Sequence, residues 1–175
     1  MALSLFRKSA APEPVYAVYG ALVAQSRQPR FYAEWGVPDT VTGRFDMISL
    51  HLALLFRRLR GENPAGRAFS QALFDLFFKD MDRSLREMGA GDLAVPKKIR
   101  NMGNLFYGLL ASLDGALDSN DPAQVEAVLA RNVLADADNA SVPRLAAYVI
   151  AASRGLEGQA ASAIIAGHLD MGQPA

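Results

Sequence analysis

Cysteine is absent from the 175 residues, so disulfides and thiolate metal sites are impossible, and the staple-built scaffold of a small secreted domain is excluded. A reducing compartment is expected. An excess of charge of either sign is also missing, since 18 Lys and Arg balance 18 Asp and Glu. No global field draws the chain to nucleic acid or an anionic membrane, and any such contact must come from a local patch. Long apolar runs are lacking too: stretches such as Leu105–Leu113 and Leu145–Ser153 fall far short of the roughly 20 residues that span a bilayer. Met1–Ala11 carries Arg7 and Lys8 but no apolar segment of signal length, so export is not expected.

The common catalytic signatures are missing as well. No G-x-x-x-x-G-K-[ST], G-x-G-x-x-G or G-x-S-x-G occurs, which leaves nucleotide binding and hydrolase chemistry unsupported. Histidine appears only as His51 and His168, neither in a metal-ligand spacing. The expectation is a protein that is not an enzyme, carries no cofactor or metal, and works by holding another protein.

What is present is apolar surface in helical periods. Apolar residues make up 51% and charged residues 21% of the chain, enough to close a core in one domain. Punctuation by Pro, Gly and acid or amide clusters predicts helices over Pro14–Arg27, Arg44–Arg60, Ala65–Met88 and Pro96–Leu117. Asp121-Pro122 reads as an N-cap followed by a first-turn proline, opening a helix to Leu134, and Ser141 as the cap of Val142–Arg154. Phe31–Thr40, which holds the only Trp, is expected to be an ordered aromatic loop. The fold class is all-α, a single compact bundle of about six to seven helices. The expected limits are a flexible 1–13, a helical domain over 14–168 and a flexible tail over 169–175.

Three patterns carry functional information. Along 65–88, Asp75 with Lys79 and Asp82 with Arg86 form i,i+4 pairs on a solvated face. Asp80 and Glu87 fall inside or beside an apolar arc of Phe69, Leu73, Phe74, Leu76, Phe77, Phe78, Met81, Leu85 and Met88. That arc calls either for a helix running between several others or for an exposed groove. On 44–60, Arg44, His51 and Arg58 recur every seven residues among apolar positions, which suggests a polar seam joining them to Asp80 and Glu87, or a track that recognises a client. Finally, Lys97, Lys98 and Arg100 open the next helix where its dipole disfavours positive charge. They are either a solvated face or a dock for an anionic surface such as lipid phosphate, RNA or an acidic loop.

At these segments the sequence resembles the ubiquinol-cytochrome c chaperone family, in a form expected of a bacterial member. The resemblance lies in Phe31-Tyr32 through Trp35-Gly36-Val37-Pro38-Asp39-Thr40, in Gly43-Arg44-Phe45-Asp46 with His51, and most specifically in Leu73–Gly89. It continues through Gly91-Asp92-Leu93, Lys97, Lys98 and Phe106-Tyr107-Gly108. Leu109 and Leu113 stand where the family pattern has Arg and Tyr. The resemblance implies an assembly factor for respiratory complex III that binds apo or newly made cytochrome b. With it, Trp35, Phe74, Phe77, Phe78, Met81, Leu85, Phe106 and Tyr107 become the candidate client surface. Lys97, Lys98 and Arg100 become the candidate dock for a ribosome or an anionic membrane, with no sequence-specific nucleic acid partner. The expected location is the cytoplasm, with the inner face of the cytoplasmic membrane as a place of contact. The competing readings are a ribosome- or membrane-docking helical adaptor and a haem-handling protein using His51.

Overall fold

The computed structural model describes residues 11–134 and 139–174. Among them the chain forms α1 (Glu13–Ser26), α2 (Pro29–Ala33), α3 (Val41–Leu59), α4 (Pro64–Glu87), α5 (Val95–Asp118), α6 (Pro122–Leu129), α7 (Val142–Glu157) and α8 (Ala161–Ile165), and no strand. α6 runs on into a π-helical turn, Ala130–Leu134. The bundle expected from the periodicity is therefore present, and the four long helices start and end within a few residues of their predicted limits.

Helix starts follow capping chemistry. The side chains of Thr40, Asn63 and Asp121 accept from the backbone N–H groups of Gly43, Gly66 and Ala123 at 3.0–3.1 Å, and proline takes a first-turn position in α4 and α6. Ser141 stands at the N-cap position of α7 as expected, but its side chain makes no capping hydrogen bond. The Asn139 side chain accepts from the Ser141 N–H at 2.8 Å, just before the helix. α4 ends in a Schellman turn, in which Ala90 N–H reaches the Leu85 carbonyl, Gly89 N–H reaches Arg86, and Gly89 takes φ 83°.

α3 is the hub. Leu50, Leu52, Leu54 and Leu55 are buried on successive faces, because α1, α4, α5 and α7 all pack around it. The loop after α1 is ordered, as expected, and starts with the short α2. Phe31 and Trp35 turn inward and meet edge-on at 5.3 Å. α4 meets its neighbours through rings, with Phe77 stacked on Phe45 of α3 at 5.5 Å and Phe74 against Phe106 of α5 at 5.8 Å.

The termini depart from expectation. Residues 1–10 and 175, expected to be flexible, lie outside the described residues. Residues 169–174, also expected to be a loose tail, are held to the body. Met171 is buried, Gln25 Nε2 donates to the Gly172 carbonyl at 2.8 Å, Gln159 donates to the Asp170 carbonyl at 2.7 Å, and Arg30 donates to the Pro174 carbonyl.

Gly43 sets how closely the loop can approach α3. A Cβ there would lie 2.0 Å from the Pro38 carbonyl oxygen, so backbone must move to admit it. Gly43→Ala should therefore lose about 1–3 kcal/mol. Gly20, in the interior of α1 with nothing within 4 Å of its Cβ position, gives the control, and Gly20→Ala should gain about 0.5–1 kcal/mol. Urea midpoints check the pair, and a Gly43→Ala protein as stable as the parent contradicts the packing argument.

Candidate functional site

The polar seam predicted between the second and third long helices is not formed. Arg44 is exposed and pairs with Asp39 on the preceding loop at 2.7 Å. Arg58 turns to the end of α7, donating to the Leu156 and Gln159 carbonyls at 3.0 and 2.8 Å, and pairs with Glu62. Asp80, part-buried, accepts from the Tyr19 hydroxyl at 2.9 Å and pairs with Arg83, while Glu87 is exposed. The reason is that α4 lays its Asp80 side against α1, whereas the α3 stripe passes a loop, the core and the end of α7 in turn. Of the two predicted surface pairs, Asp82–Arg86 forms at 2.7 Å, but Asp75 is taken by Gln71 at 2.8 Å.

His51 is enclosed. Its Nδ1 lies 2.7 Å from the Met47 carbonyl, which can only accept, so Nδ1 carries the hydrogen. Nε2 then accepts from the Tyr148 hydroxyl at 2.8 Å, and Gln25 donates to the same hydroxyl at 2.9 Å. Ser26 Oγ lies 3.1 Å from Nδ1 and donates to the Leu22 carbonyl at 2.7 Å. With both ring nitrogens committed and the side chain wholly buried, no nitrogen is left for haem iron in this fold, which removes the haem-handling reading of His51.

The structure divides the candidate client residues. Trp35, Phe77 and Phe106 are buried and offer no surface here, because Trp35 packs on Phe31 and Tyr148 while Phe77 and Phe106 close the contacts of α4 with α3 and α5. Leu85 is largely buried as well, with its edge in the groove at the end of α4. Phe74, Phe78 and Met81 are partly buried against the core. Tyr107 is exposed beside Phe74, ring centres 5.6 Å apart.

Open apolar surface lies at the neighbouring end of the bundle, where α4 stops at the Gly89 turn and α5 departs. A groove of about 620 Å³ runs between the start of α3, the end of α4 and the first half of α5. Val41, Phe45, Leu85, Met88, Met102 and Leu105 line it, with Lys98 at its rim. Val41, Met88 and Leu105 are each half-exposed, and Leu93, in the loop that joins α4 to α5, is 96% exposed. Exposed apolar side chains gathered at one end mark an interaction surface more often than chance scatter does. A cleft of about 550 Å³ between α5, α6 and α7 is poorer in this respect. Its main cation, Arg57, is already bound to Asp114 and Asp118.

The sequence places Leu85 and Met88 in an arc that calls for either a central helix or an exposed groove, but it does not single out Val41, Met102 or Leu105 of the lining. Met88 carries a usable signal, since it follows Met81 by seven residues and immediately precedes the capping glycine. Val41 and Leu105 carry none, because their exposure depends on where α4 ends in space.

Lys97, Lys98 and Arg100 are exposed, and none stands in an ion pair among the described residues, where Arg86 takes the nearby Asp82 and Asp92.

A buried histidine and a partly buried carboxyl shape the acid response. Burial holds His51 down at about 4 from its ordinary 6.5, with the Met47 carbonyl opposing. Burial alone pushes the Asp46 carboxyl up from 3.8 to about 7. Between pH 6.5 and 4 the unfolded chain protonates His51 before the folded one does, so that group's contribution to stability is lost as pH falls. Asp46 acts oppositely. The folded chain keeps a proton that the unfolded chain has released, so its contribution is lost as pH rises towards 7. The two slopes, each at most about 1.4 kcal/mol per pH unit, overlap and oppose. Asp46→Asn should unmask His51, giving a protein whose urea midpoint falls more steeply than wild type between pH 6.5 and 4.5; parallel profiles would show that Asp46 is ordinary.

Comparison with known proteins adds three findings. Residues 33–171 fit the profile of the family described as Ubiquinol-cytochrome C chaperone. The chain is 24% identical over 117 residues to Ubiquinol-cytochrome-c reductase complex assembly factor 1 of Xenopus laevis, covering 67% of this chain and 58% of that one. It thus spans little more than half of that relative's length. The crystal structure of the Cbp3 homolog from Brucella abortus shares the fold with a TM-score of 0.82, at 42% identity and with 90% of each chain covered.

Proposed function

Because the chain belongs to the ubiquinol-cytochrome C chaperone family, we propose that it assists assembly of the ubiquinol–cytochrome c reductase complex by holding newly made cytochrome b through the groove between α3, α4 and α5. The family match over 33–171 carries this reading. The groove supplies a physical means. Cytochrome b, as the resemblance implies it, is a hydrophobic multi-span protein, and its apolar segments need cover before the complex closes around them.

The shape and lining of the groove suit that task. Its walls come from three helices with separate backbones, so its width is set by rigid elements. Met88 and Met102 add unbranched side chains that adapt to different partners. An amphipathic or apolar helix laid along such a groove is a recurrent mode of recognition. The reading invokes holding and release, and no chemical step.

Deleting the gene from the organism that carries it should lower spectrally intact cytochrome b and reductase activity while growth that bypasses the complex continues. Normal cytochrome b spectra in the deletion strain would remove the assembly reading. A second test addresses the groove itself. Met88→Asp with Leu105→Asp alters two half-exposed positions, so the melting curve should stay close to wild type, within about 0.5 kcal/mol per site. The variant should nonetheless fail to restore cytochrome b. Full restoration would place the client elsewhere on the molecule.

A further inference from the structure

The loop joining α4 to α5 leaves one apolar side chain almost wholly in water, with positive charge behind it. Leu93 is 96% exposed, and nothing in its Gly-Asp-Leu-Ala setting gives it a packing partner. Lys97 and Lys98 lie in the first turn of α5 and Arg100 in the second, all exposed. From Met88 to Leu113 the sequence holds these three cations and one acid, Asp92, and Arg86 already pairs with that acid. Positive charge at a helix start is opposed by the helix dipole. Neither folding energy nor local pairing accounts for the cluster.

We propose that this tip docks on an anionic phospholipid surface, with Leu93 entering the interface among the acyl chains and Lys97, Lys98 and Arg100 resting against the headgroup phosphates. The pairing of one exposed aliphatic tip with a collar of cations is what favours lipid. A polyanion such as RNA would use the cations but has no place for Leu93, whereas a bilayer interface accepts both parts. Met88, half-exposed in the same turn, adds apolar contact on the groove side. The site goes beyond the assembly reading and does not depend on it.

Flotation of the full chain with vesicles tests the site. Vesicles of phosphatidylglycerol and phosphatidylcholine in equal parts should carry the wild-type protein, with capture fading as salt rises. Pure phosphatidylcholine vesicles should not. Each cation at an anionic surface is worth about fivefold in partitioning, so Lys97→Gln, Lys98→Gln and Arg100→Gln together should weaken capture about a hundredfold. Leu93→Asn should weaken it by about tenfold. All four side chains are exposed, so both variants should melt like wild type. Wild-type protein that ignores the anionic vesicles overturns the proposal. So does Leu93→Asn protein that floats as well as wild type, since the cations alone would then suffice and RNA would serve equally. The assay contains no cytochrome b, so its failure leaves the assembly reading untouched, and a deletion strain with normal cytochrome b leaves the lipid contact untouched.

Discussion

The hydrogen-bonded histidine at the centre of α3 is the constraint around which the bundle is arranged. A neutral imidazole placed wholly inside a core needs one acceptor and one donor, or burial costs more than its packing returns. His51 finds the acceptor in its own helix, at Met47, and the donor on α7, at Tyr148. Tyr148 in turn accepts from Gln25 of α1, which also holds Gly172. One chain of polar groups thus fixes α1, α3, α7 and the C-terminal stretch in a single register. Phe31 closes over it, with its ring 5.7 Å from His51 and 5.1 Å from Tyr148. Apolar packing alone would tolerate sliding of these helices, and the directional bonds do not.

The functional end of the molecule is what that arrangement leaves open. Because α3 is anchored on the α1 and α7 side, α4 and α5 meet on the other side through Phe77, Phe106 and Phe74. The seal is complete along the middle of α4 and stops where Gly89 turns the chain. Beyond that turn, Val41, Met88 and Leu105 stay half-exposed among the described residues. The groove is therefore a consequence of helix length, with α4 ending before its apolar arc does.

Much of this was legible in the sequence, and the limits of legibility are physical. Periodicity and caps located the long helices, as Asp121-Pro122 illustrates, and the run Leu73–Gly89 carried the family resemblance that the profile match over 33–171 bears out. Pairing between helices was not legible. Arg44, His51 and Arg58 do share a stripe, but a stripe states only which side of a helix residues occupy, and the three meet a loop, the core and the end of α7. The same gap explains why the most apolar residues were taken for surface. Phe77 and Phe106 have high contact value both in a core and in an interface, and only the placement of α5 over α4 decides between them. The half-exposed methionine and leucine at the groove drew less attention because each is an ordinary apolar residue at helical spacing.

The bond from Tyr148 to His51 spans 97 residues, and the one from Gln25 to Gly172 spans 147. A ribosome delivers α1 and α3 long before it delivers their partners, and for that interval the imidazole and the amide must be satisfied by water. The helices α1 to α5 can form and gather, but the centre of α3 cannot dry until α7 and the residues after it have emerged. Final closure is accordingly tied to α7 and residues 169–174, and removing Gly172 and its neighbours would leave Gln25 bonded to Tyr148 but with its second amide hydrogen in water.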